Sequence, residues 1–137
     1  MSKWLWALIL FIQAHFAASY LVPLEEKDQG AFGGLLKWVW PWGVGNKGFL
    51  GEIAPNQMAI GGFWIAAPAA VLSILAILAV LGLWVPHAWW RGLAIAGAAI
   101  ELLLMIGFLG PTKVLPILFD LAVIVVVWTD RLPVRLT

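Results

Sequence analysis

Glu101 stands near the middle of the apolar run GLAIAGAAIELLLMIGFLG, residues 92–110. A carboxyl group at that depth of a bilayer-length helix costs about 2.5 to 3.5 kcal/mol on insertion scales, so it is retained for pairing or for function. Two further ionisable residues lie inside apolar runs: His15 in LILFIQAHFAAS and Asp120 in PILFDLAVIVVVW. In a low-dielectric setting, His, Glu and Asp can pass a proton, hold a cation or bind a polar headgroup, and neighbouring carboxyls titrate as one coupled system. Ser19, one helical turn from His15, falls on the same face as that imidazole, whereas Gln13 falls on another.

Metal binding has little support, since no HxxxH or ExxH spacing occurs and three separate helices would each supply one ligand. Bis-histidine haem is disfavoured because His87 falls in a short turn on the opposite side from His15. No metal and no cofactor is expected; a quinone or a lipid is the kind of small molecule such a layer could take.

The elements that must position these residues follow from composition. Hydrophobic residues make up 64% of the 137 and charged residues only 11%, against about a quarter charged in soluble domains. That balance predicts an integral membrane protein. Four apolar stretches, at about 4–22, 58–85, 92–109 and 114–128, approach the ~20 residues that cross a hydrocarbon core. The last is rich in valine, but a lone strand cannot satisfy its backbone in lipid, so helix is the consistent assignment. The expectation is an all-α four-helix membrane bundle, one domain over 1–137, with a long aromatic interfacial loop at 23–57. Lys3 ahead of an apolar run that ends in Ala17, Ala18 and Ser19 has the layout of a signal peptide, but the segment is read as a retained helix.

At 1.5 Å of rise per residue, Glu101 falls roughly 13 Å below the face carrying that loop, with His15 and Asp120 roughly 10 Å below it. The kink expected at Pro68 falls at a similar depth and frees a backbone carbonyl, that of Trp64. Three ionisable groups from three helices are thus expected in one layer. Ala94, Gly97 and Ala98, with Ala66, Ala69 and Ala70, allow close backbone approach, either within the bundle or between copies.

The loop opens with Glu25, Glu26, Lys27 and Asp28 and then becomes aromatic, with Trp38, Trp40 and Trp42. Those rings suit an interfacial belt, a lid over a cavity or a docking face for a partner subunit. Trp84, Trp89, Trp90 and Arg91 form a second interfacial anchor on the other side. Sidedness rests on a narrow argument. Lys3, Arg91, Arg131 and Arg135 share one side, while Lys27, Lys37, Lys47 and Lys113 share the other, and three of the second set sit in the long loop, where charge bias acts weakly. The termini are therefore assigned to the cytoplasmic side of a bacterial inner membrane.

A net charge of +1 with scattered basic residues excludes a nucleic-acid partner, and the absence of cysteine excludes disulfides and thiolate metal sites. The partners expected are the bilayer and a membrane subunit or further copies of the chain.

The long first loop, the segment WWRGLAIAGAAIELLLMIGFLGP and the acid-bearing closing helix PILFDLAVIVVVW resemble the DoxX-like group of small four-helix bacterial membrane proteins. That resemblance implies a four-helix membrane fold and either an accessory role or a quinone-linked one, and it carries no catalytic residue onto this sequence. Two functions are therefore expected, the first preferred: a non-catalytic accessory or structural subunit of a membrane complex, or a small-molecule or proton-coupled binding protein using Glu101, Asp120 and His15.

Overall fold

The structure is a computed structural model that describes residues 1–18, 58–107, 113–131 and 134. Four α-helices and one short 3-10 turn make up these residues, with no sheet among them: α1 Lys3–Ala18, α2 Met58–Leu81, a 3-10 turn His87–Trp89, α3 Trp90–Gly107 and α4 Val114–Trp128. Ser2 begins α1 as its N-cap, its Oγ accepting from the Leu5 backbone N–H at 3.2 Å. α2 runs unbroken through Pro68.

The turn between α2 and α3 shows how sequence sets an end. α2 stops at Leu81, short of the Val85 expected, because Gly82 takes φ +73° and closes a Schellman motif: Leu83 N–H donates to Leu78 O at 2.8 Å and Gly82 N–H to Ala79 O at 3.2 Å. His87 Nδ1 is a second donor to the same Ala79 carbonyl, at 3.0 Å, and ties the turn back onto the helix end. Trp84 follows at φ +57°, in the left-handed region that costs a non-glycine residue, and its side chain projects outward, 94% exposed.

α1 packs on α2, α2 on α3 and α3 on α4, while α1 and α4 barely meet. The α1 start, the α2 end, the α3 start and the α4 end share one end of the bundle. There Trp6 packs on Trp90 with ring centroids 5.0 Å apart, and Arg91 pairs with Asp130 across the exposed surface. Each helix buries residues at i, i+3, i+4 and i+7, such as Lys113, Pro116, Asp120, Val123 and Val127 along α4 and its N-cap. The outer faces are just as apolar, with Leu8, Phe11, Val71, Leu103, Leu118 and Val125 exposed.

The α2–α3 seam is made of small residues: Ala66, Ala69, Ala70, Ala94, Gly97 and Ala98 are all buried, so this stripe lies inside the bundle. A Cβ on Gly97 would stand 2.8 Å from Ser73 Oγ and 2.9 Å from Gln13 Nε2. Only glycine admits those two groups at this level.

Three apolar clusters fill the interior. One, around Trp6, Leu10, Val80, Trp90 and Val127, closes the Trp90 end; a second, around Phe16, Ala66, Leu104 and Met105, lies towards the far end, where Phe16 meets Phe119 edge-on at 5.3 Å; the third is Ala17, Ala69 and Ala70. Gln13, Ser73, Glu101 and Asp120 lie between the first two.

Candidate functional site

Each helix contributes one buried polar residue to this middle layer: Gln13 from α1, Ser73 from α2, Glu101 from α3 and Asp120 from α4, all 0% exposed. The helical registers explain the convergence. On α3, Glu101 follows Ala94 by seven residues and Gly97 by four, so it shares their inward stripe, and Asp120 lies between Pro116 and Val123 on that of α4.

Gln13 and Ser73 form a connected knot. Ser73 Oγ donates to Ala69 O at 3.0 Å, which commits its hydrogen, so it accepts from Gln13 Nε2 at 2.9 Å; the same Nε2 donates to Ala94 O at 3.3 Å. Two acceptors facing one end of the carboxamide fix that end as the nitrogen. Gln13 Oε1 is thereby left buried without a donor.

Glu101 and Asp120 are stranded more completely. All four carboxyl oxygens are buried and none has a hydrogen-bond partner among the described residues, and the two groups lie within Coulombic range of each other. Buried oxygens of this kind ordinarily find a partner, and leaving one without costs ~1–3 kcal/mol, more when it is charged. Helical side chains lie over the turn N-terminal to their own Cα, so Glu101 leans towards Gly97, where the Gln13 carboxamide sits.

Of the other residues picked out by sequence, His15 is half-buried and stacks on Phe11, itself 59% exposed, with centroids 6.5 Å apart. The face of α1 that turns into the layer carries Gln13 instead. Ser19, Trp38, Trp40 and Trp42 lie outside the described residues. Trp64 is 69% exposed, on the outward side of α2.

Sequence reasoning set Gln13 on a face away from His15, counted Lys113 only for sidedness and passed over Ser73. Each is a polar residue in or beside an apolar segment, and that is the signal that marks them. Lys113 stands fully buried at the N-cap position of α4, on the stripe that carries Asp120, and burial lowers its ammonium from an ordinary 10.5 to about 8.

Among the described residues no group of three or more His, Cys, Asp or Glu side chains could hold a metal ion. The layer offers two carboxyl groups and one amide oxygen, a set suited to one proton or one weakly charged cation. No family model matches the sequence, and neither curated proteins nor solved structures give a match.

Proposed function

We propose that the chain is a small polytopic membrane protein that binds a proton or cation inside its bundle, as the ion-binding component of a carrier or of a membrane complex. The observation that carries this reading is the Glu101–Asp120 pair: two carboxyl groups, wholly enclosed between apolar clusters and within Coulombic range of each other, with no donor among the described residues on any of their four oxygens. Packing glue would look different. Polar residues that tie helices together do so by bonding across them, as Gln13 and Ser73 do. A carboxyl pair with no donor is balanced only by positive charge brought to it.

The membrane setting is supported by the apolar exterior and by helix length. Segments Trp64–Leu81 and His87–Gly107 are long and apolar enough to cross a bilayer, while α1 and α4, at roughly 24 and 22 Å of rise, suit a thin or locally thinned one. The bacterial inner membrane, inward-facing termini and kinship with the DoxX-like group belong to this proposal and rest on the sequence.

The test is the pH profile of thermal stability in lipid nanodiscs. Wild type is expected to show a step that Glu101→Gln and Asp120→Asn each remove. Identical profiles in all three proteins would reject the reading.

An accessory-subunit role has one observation of its own. α1 and α4 leave an apolar groove of about 130 Å³ between Trp6, Ile9, Phe119, Ala122 and Val126, open at the bundle surface. A single-cysteine Ala122→Cys chain, in a protein that has no other thiol, would report a neighbour there by cross-linking.

A further inference from the structure

From the oxygens gathered in the middle layer we infer that the site takes a dehydrated monovalent metal cation of the Na+ class, held by Glu101, Asp120 and the Gln13 side-chain oxygen. This rests on the ion-binding reading above and narrows it to one kind of ion.

Three observations point the same way. The first is the number of idle acceptors. Five buried oxygens, four carboxyl and one amide, have no donor. A proton shared between Glu101 and Asp120 would engage one pair of oxygens and leave Gln13 Oε1 as it is. A metal cation coordinates several oxygens at once, from three helices, and so answers all three residues.

The second is how Gln13 is held. Its nitrogen is anchored twice, to Ser73 Oγ and Ala94 O, in space that exists because residue 97 has no side chain. The carboxamide is therefore fixed, and its oxygen is buried in the same layer as the two acids without a donor. A fixed, neutral acceptor serves a cation that must shed its water, since it replaces a hydration oxygen without adding charge.

The third is the size of the set. Five acceptors without a donor suit a small monovalent ion, whereas calcium needs six to eight oxygens.

The experiment compares the full chain in nanodiscs in NaCl and in choline chloride at equal ionic strength and fixed pH, with thermal stability read against salt concentration. A ligand that binds only the folded state raises the midpoint by mass action, so Na+ is expected to give a saturable upward shift that choline does not. Gln13→Leu is expected to weaken the Na+ response by roughly tenfold or more, since a bond to a charged group is lost. No Na+-specific shift in wild type overturns the inference even if the pH step remains, and that result leaves a proton site. Loss of both the Na+ shift and the pH step would overturn the ion-binding reading itself. The wild-type comparison decides the matter even if a variant fails to fold.

Discussion

At the scale of single residues, the acids at 101 and 120 are legible in the sequence, and the residue that joins them from α1 is not. Glu101 and Asp120 interrupt apolar runs, and counting rise per residue brings them to one depth. His15 and Gln13 are only two positions apart, and both interrupt the same run. Which of them faces inward depends on the rotation of α1, and a helix apolar on every side has almost no moment to reveal it. Tertiary packing decides it, through the pocket that Gly97 opens for a carboxamide. One consequence concerns stability. An amide at 101 can donate to the Asp120 carboxylate, so in choline buffer Glu101→Gln is expected to raise stability by ~1–3 kcal/mol, seen as a higher thermal midpoint. A lower midpoint would mean that the acid has a donor after all. Lys113 gives a second expectation. Its ammonium is lowered from 10.5 to about 8, so the folded chain binds fewer protons than the unfolded chain between those values. Stability therefore rises with pH across that window, the cost of burying the charge being present below about pH 8 and relieved above it. Lys113→Met should flatten the rise in a midpoint series recorded from neutral to strongly alkaline pH.

At the scale of elements, glycine positions carry the sharpest tests, because what an added Cβ would meet differs from one to the next. Gly97→Ala would place a methyl group 2.8 Å from Ser73 Oγ and 2.9 Å from Gln13 Nε2, two side chains that hydrogen-bond to each other and must part to make room. The cost expected is ~1–3 kcal/mol, together with loss of the Gln13–Ser73 bond. Gly92→Ala on the same helix meets nothing within 4 Å and should be neutral or stabilising by up to ~1 kcal/mol. The pair separates a packing demand from a helix-propensity effect in one set of melting curves. Gly82→Ala has space but the wrong backbone, at φ +73°, and should cost about 1 kcal/mol. The sequence signals the turn at residues 82–89 through its Gly and Pro, yet the stop at Leu81 depends on which of those residues caps the helix. Hydropathy alone carries the segment on to Val85, since Leu83, Trp84 and Val85 are as apolar as the helix before them.

At the scale of the whole molecule, the number and type of helices are readable from composition, whereas the order of packing is not. Inner and outer faces are equally apolar, so only the polar residues and the small-residue seam distinguish them. The open flank between α1 and α4 is invisible in the sequence. If a second copy fills it, Ala122→Cys chains should form a disulfide-linked dimer in membranes, visible on non-reducing gels. If the chain is embedded in a bilayer, it should stay with the membrane fraction through an alkaline wash.

The most direct measurement is an infrared difference spectrum of the protein in nanodiscs, recorded between Na+ and choline and again across pH. Glu101 and Asp120, acting as one site, should give carboxyl bands that respond to both changes and that vanish together in either Glu101→Gln or Asp120→Asn. Bands that persist unchanged in one of those variants, or a spectrum indifferent to both ion and pH, would contradict a shared cation site at the centre of the bundle.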